Sequence, residues 1–159
     1  MNASASHPDN PVASPAETPA RIVLFDGDCA FCNASCVRLL HWDKRRMLRF
    51  ASQQGEYARR LCERGLIAPE QLHDRSSILF LETREGKTRV SLRSTAGIRI
   101  AAGMGGLWKL SLLFLVVPAL LRDGIYDFIA RRRYRWFGKQ TGDICRLLTP
   151  DEQRAILDT

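Results

Sequence analysis

Two cysteines separated by two residues form the group in this sequence with the clearest chemical potential. Cys29 and Cys32 follow an Asp-Gly-Asp turn and open a stretch, residues 30–42, that contains neither glycine nor proline. A helix is expected there, and the free N–H groups and partial positive charge of its first turn would stabilise a thiolate. The spacing therefore predicts dithiol chemistry. Cys29 would be the exposed attacking thiolate, and Cys32, on the same helical face, would resolve a mixed disulfide.

Two carboxylates precede the cysteines, and the sequence indicates different roles for them. Asp28 is more simply explained as the N-cap of the helix, where it would accept a hydrogen bond from the first turn. Asp26 stands at the end of an apolar strand, where a purely solvent-facing role is harder to assign. We therefore expect Asp26 to be catalytic, as the acceptor of the proton that the buried Cys32 thiol must lose.

The cysteines are positioned by a strand that ends just before them. Residues 22–25 are four consecutive apolar residues, two of them β-branched, which is typical of a strand buried on both faces of a sheet. The motif therefore lies on a strand-to-helix turn. The patterns that follow predict a β-α-β-α-β-β order, with a second strand at 47–51, a helix at 57–65 that stops at Gly65, and an antiparallel hairpin of residues 77–82 and 88–92.

The part of the chain from about residue 93 is expected to be a helical C-terminal extension of this sheet. Residues 93–95 can cap a helix over 96–104, and the glycines that follow would end it. Residues 107–121 are apolar apart from one lysine and one serine, and they contain Pro118. This stretch is shorter than the roughly 20 residues that span a bilayer. We therefore predict a buried core helix there and no transmembrane span.

A basic cluster with interleaved aromatic residues follows, formed by Arg131, Arg132, Arg133, Arg135 and Lys139. A solvated helix face explains these arginines more simply than a binding site does. Peripheral contact with a membrane surface stays open as an alternative, since basic and aromatic residues together are typical of interfacial segments.

The motif and its surroundings resemble the DCC family of thiol-disulfide oxidoreductases. The family's D-x-x-C-x-x-C pattern appears as Asp26-Gly27-Asp28-Cys29-Ala30-Phe31-Cys32, and the likeness covers residues 21–150 through segments at 48–51, 77–80, 93–94, 121–127 and 133–139. The resemblance implies an α/β, thioredoxin-like fold, with Cys29 and Cys32 as a redox pair acting on protein or low-molecular-weight thiol substrates. One departure concerns the cis-proline that thioredoxin-like proteins usually carry before the third strand. Arg75-Ser76-Ser77 occupies that place here, and if Ser76 stands where the proline would be, strand-like docking of a peptide and exclusion of metal from the thiols are both in doubt.

Two alternatives to catalysis remain from the sequence. The first is a metal site, in which the C-x2-C-x3-C cluster that begins at Cys29 is joined by Cys62 or Cys145. Structural zinc sites usually use two separated pairs, which this sequence lacks, so we expect no bound metal or cofactor. Cys36, Cys62 and Cys145 are then more simply interpreted as packed residues. The second alternative is a non-catalytic module that binds a membrane or a partner through residues 107–139.

Composition indicates the class of protein and its partners. The 159 residues, 45% of them hydrophobic, suit a single domain, which we place at residues 21–159 after a disordered tail over 1–20. An odd number of cysteines and no secretory signal pattern predict a cytoplasmic protein. The net charge is +7, yet no nucleic-acid-binding motif accompanies it, so we expect no nucleic-acid partner. The sequence leaves the oligomeric state open. It also has no dinucleotide-binding glycine motif, so electrons are expected from another protein or from glutathione.

Overall fold

The computed structural model describes residues 20–74, 77–139 and 148–157. Its strands are β1 Arg21–Phe25, β2 Arg49–Ser52, β3 Leu79–Arg84 and β4 Lys87–Leu92. Its helices are α1 Ala30–Trp42, α2 Glu56–Glu63, α3 Pro69–His73, α4 Arg93–Gly103, a 3₁₀ helix Gly106–Val116, α5 Ala119–Phe137 and α6 Pro150–Gln153. Almost all of the predicted tail lies outside the described residues, and so do Ser76 and Cys145.

The four strands form one mixed sheet in the order β2-β1-β3-β4. Strand β1 is central: it pairs in parallel with β2, where Val23 stands opposite Phe50, and antiparallel with β3, where Val23 stands opposite Phe80. Strands β3 and β4 form the predicted antiparallel hairpin. The predicted α/β, thioredoxin-like fold class with helices after the sheet is therefore confirmed.

The alternating side chains of β1 pack into two separate apolar clusters. One cluster joins Val23 and Phe25 to residues of α1 and α4, among them Cys36, Leu40, Ala96 and Ile100. The other joins Ile22 and Leu24 to residues of α2, among them Ala58 and Leu61. Strand β1 is thus buried on both faces of the sheet, as its uninterrupted apolar run predicted.

The prediction for residues 107–121 was wrong. In place of a buried core helix, the chain forms the exposed 3₁₀ helix and then enters α5 after Pro118, which lacks the N–H that a continuous helix needs. Leu107, Val116 and Leu120 are 81%, 84% and 91% exposed. The physical reason is that α1, α4 and α2 already cover the two faces of the sheet, so the 3₁₀ helix packs mainly along α4. Among the described residues, no helix is long and apolar enough to cross a membrane.

Candidate active site

The turn between β1 and α1 places Cys29, not Asp28, at the N-cap of the helix. Cys29 has extended backbone angles (φ −101°, ψ 114°), and its Sγ accepts the N–H of Cys32 at 3.4 Å. Asp28 therefore precedes the N-cap position, and the prediction that it is the N-cap of the helix was wrong. The helix begins one residue later than an aspartate cap would require, and this makes the sulfur itself the acceptor for an N–H of the first turn.

Side chains from two other segments hold this turn in place. Asn33 Nδ2 donates to the Gly27 carbonyl at 2.9 Å, and the Gly27 N–H donates to Gln54 Oε1 at 3.1 Å. A Cβ at position 27 would lie 2.8 Å from Ser52 Oγ, closer than such atoms approach in proteins. A larger residue at the centre of the Asp-Gly-Asp turn would therefore force the Ser52 hydroxyl away from its hydrogen bond with Gln54.

The two sulfurs differ from the prediction in their exposure. Cys29 is 0% exposed, whereas Cys32 is partly exposed. The predicted exposed Cys29 was therefore wrong. The end of α5 lies over this cysteine: Lys139 forms an isolated antiparallel bridge with Cys29, and the Phe31 and Phe137 rings are 5.0 Å apart. A segment more than a hundred residues away in sequence thus pairs with the backbone of the N-cap cysteine.

The protonation of Cys32 agrees with its predicted role. Burial raises the pKa of the Cys32 thiol to about 12, the charge of Arg133 partly opposes that rise, and a hydrogen bond with Cys29 adds to it. Burial likewise raises the pKa of Cys36, which lies in the core. Cys32 is consequently a neutral thiol near pH 7, while the Cys29 sulfur occupies the position where a thiolate gains a hydrogen bond from the helix.

Asp26 is the most densely bonded side chain of the site. The carboxylate is 2% exposed, and its Oδ1 accepts the Asp28 N–H at 3.2 Å and Gln54 Nε2 at 2.8 Å. Its Oδ2 accepts a hydrogen bond from Arg133 at 3.0 Å and another from the Tyr134 hydroxyl. Asp26 therefore lies within the polar centre of the site, next to the cysteines in space as well as in sequence.

Arg133 is a residue that sequence reasoning missed. Grouped with its neighbours as a solvated face, it is in fact 4% exposed and forms the ion pair with Asp26. Burial lowers the pKa of Arg133, but the charges of Cys32 and Cys29 and the hydrogen bond and charge of Tyr134 together raise it more, so the net shift is upward. This guanidinium therefore faces both sulfurs as well as the carboxylate.

Helical spacing is the signal that could have separated Arg133 from the other arginines. Counting back from Arg133 by three and seven residues gives Ala130, which is buried, and Tyr126, which is half-buried. Arg131, Arg132 and Arg135 lie on the other side of α5 and are exposed, as predicted.

Two tyrosines of α5 complete the site. The Tyr126 hydroxyl accepts the Ile78 N–H at 2.9 Å, and burial raises the pKa of Tyr126. Burial and the hydrogen bond to Asp26 raise the pKa of Tyr134 to about 12. Both tyrosines are therefore neutral hydrogen-bonding groups near pH 7, and they tie the start of β3 and the end of β1 to the same helix.

The remaining cysteines are placed away from the pair or buried beneath it. Cys36 belongs to the core cluster of α1, and Cys62 is partly buried on α2, as the packing interpretation predicted. Cys145 lies outside the described residues. Within 20–74, 77–139 and 148–157, no group of three or more His, Cys, Asp or Glu side chains is arranged to hold a metal ion.

The alkylation of Cys32 should depend steeply on pH. Because its pKa is raised to about 12 by burial, its thiolate fraction should increase about tenfold per pH unit between about pH 7 and about pH 9.5 without a plateau. In Cys29→Ala the same profile should shift to lower pH, since both the hydrogen bond and the charge of Cys29 raise the pKa of Cys32. Pulsed iodoacetamide labelling read by mass spectrometry measures both profiles. A plateau for Cys32 below about pH 9 would contradict the assignment.

Comparison with known proteins identifies relatives of this chain. The family model "DCC1-like thiol-disulfide oxidoreductase" matches residues 23–139. The uncharacterized protein YuxK of Bacillus subtilis (strain 168) is 33% identical over 141 residues, covering 89% of this chain and 96% of that protein. A DCC family protein of Arabidopsis thaliana, described as chloroplastic, is 32% identical over 127 residues, covering 79% of this chain and 69% of that protein. No solved structure is significantly similar to the chain.

Proposed function

The chain belongs to the DCC1-like thiol-disulfide oxidoreductase family, and we propose that it exchanges electrons between a Cys29–Cys32 pair and protein or low-molecular-weight thiol substrates. The observation that carries the proposal is the Cys29 sulfur at the N-cap of α1, where it accepts the N–H of Cys32 at 3.4 Å. Charge on that sulfur is stabilised by the helix N-terminus, and the buried Arg133 guanidinium faces it. Cys29 is therefore the proposed attacking sulfur.

The first step is attack by Cys29. Its thiolate displaces one sulfur of a substrate disulfide, a mixed disulfide forms between Cys29 and the substrate, and the other substrate sulfur leaves as a thiolate. Because Cys29 is fully buried and its backbone is bridged to Lys139, we propose that a substrate displaces the segment at Lys139 to reach the sulfur. Cys32 is partly exposed three residues further on.

The second step is resolution by Cys32. Its proton must leave first, and Asp26 is the proposed acceptor, directly or through one water, because this carboxylate is close enough for its charge to raise the pKa of the Cys32 thiol. The Cys32 thiolate then attacks the Cys29 sulfur, the second substrate thiolate leaves, and the Cys29–Cys32 disulfide forms. Two electrons have passed from the protein dithiol to the substrate disulfide, and the same steps in reverse oxidise a substrate dithiol.

Oxidation of the purified protein should produce a Cys29–Cys32 disulfide in preference to any other link. The two residues share the first turn of α1, so their sulfurs are within bonding reach, whereas Cys36 is buried one turn further on. Lys and Arg are absent between Ile22 and Val37, so the three cysteines stay on one tryptic peptide, and the link must be located by differential alkylation with fragment masses. A predominant link from Cys32 to Cys36, Cys62 or Cys145 would overturn the proposal.

A further inference from the structure

The outer surface of the 3₁₀ helix and α5 has an unusual composition, and we call it the apolar-basic face. Every exposed residue from Gly106 to Lys139 is apolar, glycine or cationic. Its large apolar members are Leu107, Trp108, Leu110, Leu112, Leu113, Phe114, Val116, Leu120, Leu121, Ile125, Phe128, Ile129, Trp136 and Phe137. Surfaces of soluble monomers rarely concentrate apolar side chains to this degree unless something binds there.

The two carboxylates of α5 are kept off this face by contacts with α4. Asp123 accepts a hydrogen bond from the Ser94 hydroxyl, and Asp127 pairs with Arg93 at 3.4 Å. The helix therefore directs its acids and Arg133 toward the domain while Leu121, Ile125 and Phe128, at helical spacing, point away. The separation of acidic from apolar side chains therefore follows from their positions around the helix and not from its overall composition.

Charge identifies the kind of partner. The cations of the apolar-basic face are Lys109, Arg131, Arg132, Arg135 and Lys139, and the two carboxylates of this described segment, Asp123 and Asp127, are partly buried and bonded to α4. Two copies of the chain meeting through this face would bring these charges together unpaired, which opposes a homodimer. An anionic bilayer complements both properties at once, since its headgroups attract the cations and its acyl region accepts the apolar side chains.

We propose that the apolar-basic face docks on the surface of an anionic lipid bilayer, lying in the interface without crossing it. Tryptophans stand at the positions where headgroup contact is expected. Trp42 and Trp108 stack at 5.2 Å, and they line a cavity of about 370 Å³ together with Lys44 and Arg45. At the other end of the face, Trp136 packs edge-on against Phe128.

Docking in this way also places the cysteines near the lipid. Phe137 belongs to the apolar-basic face and contacts Phe31 of α1, and Lys139 is bridged to Cys29. If the proposed dithiol function holds, its substrates include thiols presented at a bilayer. Vesicle binding itself does not depend on that function, so Cys29→Ser should bind vesicles as the unaltered chain does.

Co-sedimentation of the full chain with vesicles tests the charge part of the proposal. We expect binding to phosphatidylcholine vesicles that contain about 30% phosphatidylserine, much weaker binding to phosphatidylcholine alone, and release by salt. Replacing Arg131, Arg132 and Arg135 by glutamine should weaken anionic-vesicle binding on the order of 100-fold. The matched control replaces Arg84, Lys87 and Arg89 of the β3–β4 hairpin by glutamine and should leave binding nearly unchanged. Equal losses in the two variants would overturn the proposal.

A second pair of variants tests the apolar part. Leu120→Glu, at a side chain that is 91% exposed, should reduce vesicle binding more than tenfold without lowering thermal stability. Met47→Glu, an exposed apolar residue outside the face, is the control and should bind normally. Absence of binding to anionic vesicles contradicts the proposal. A second contradicting result combines two observations: no vesicle binding, and a dimer in sedimentation velocity that Leu120→Glu dissociates. The apolar-basic face would then be a self-association surface.

Discussion

Replacing Arg133 with methionine should lower the free energy of unfolding by about 3–5 kcal/mol. The Asp26 carboxylate is 2% exposed and pairs with this guanidinium at 3.0 Å. Methionine is similar in length, so packing is largely kept, but the variant leaves a carboxylate buried without its countercharge. The loss should be visible as a lower urea midpoint for the reduced protein.

A neighbouring arginine supplies the control. Arg131 lies on the same helix but is exposed, so Arg131→Met should change stability by no more than about 0.5 kcal/mol. Adding Asp26→Asn to Arg133→Met should restore part of the lost stability, because the double variant no longer buries an unpaired charge. If Arg133→Met and Arg131→Met are equally stable, the ion pair between Arg133 and Asp26 is not buried, and this prediction is wrong.

Replacing Cys32 with serine should trap a covalent adduct between Cys29 and a disulfide substrate, whereas Cys29→Ser should form adduct more than tenfold more slowly. The first variant keeps the attacking sulfur and removes the resolving one. The second keeps only Cys32 of the pair, whose pKa of about 12 leaves on the order of one thiolate in 10,000 at pH 8 before any relief from the loss of Cys29. The small thiolate fraction of Cys32 should therefore outweigh its greater exposure in the resting protein.

Asp26→Asn completes this prediction. Loss of the proton acceptor should slow the step in which Cys32 resolves the mixed disulfide by roughly 100-fold, while initial attack by Cys29 changes much less. Asp28→Asn is the matched control, because Asp28 stands two residues away in the same turn but is exposed. If Asp26→Asn leaves resolution unchanged, the proton acceptor has been assigned wrongly.

The parts of the structure that the sequence predicts well are those fixed by local pattern. Residues 22–25 and 30–42 form β1 and α1 with almost the predicted bounds, because an apolar run, a glycine turn and a long stretch free of Gly and Pro each act over a few residues. The hairpin of β3 and β4 follows from its turn for the same reason. The dithiol itself is such a local feature, and it was found by spacing alone.

The parts that the sequence does not predict depend on contacts between distant segments. Arg133 pairs with a carboxylate 107 positions earlier, and Lys139 covers Cys29. Neither contact has a local pattern that specifies it. The prediction for residues 107–121 was wrong for a different reason. Their hydropathy predicted burial, but both faces of the sheet are already covered by other helices. These exposed residues instead form a large part of the apolar-basic face.

Intact-mass measurement of the reduced protein during reaction with oxidised glutathione tests the central claim most directly. In Cys32→Ser, one glutathione should add and remain on Cys29. In the unaltered chain, the adduct should be transient and should give way to a Cys29–Cys32 disulfide without bound glutathione. Faster addition to Cys32 in Cys29→Ser than to Cys29 in Cys32→Ser, or an adduct that persists on Cys29 of the unaltered chain, would contradict a resolving pair in which Cys29 attacks and Cys32 completes the exchange.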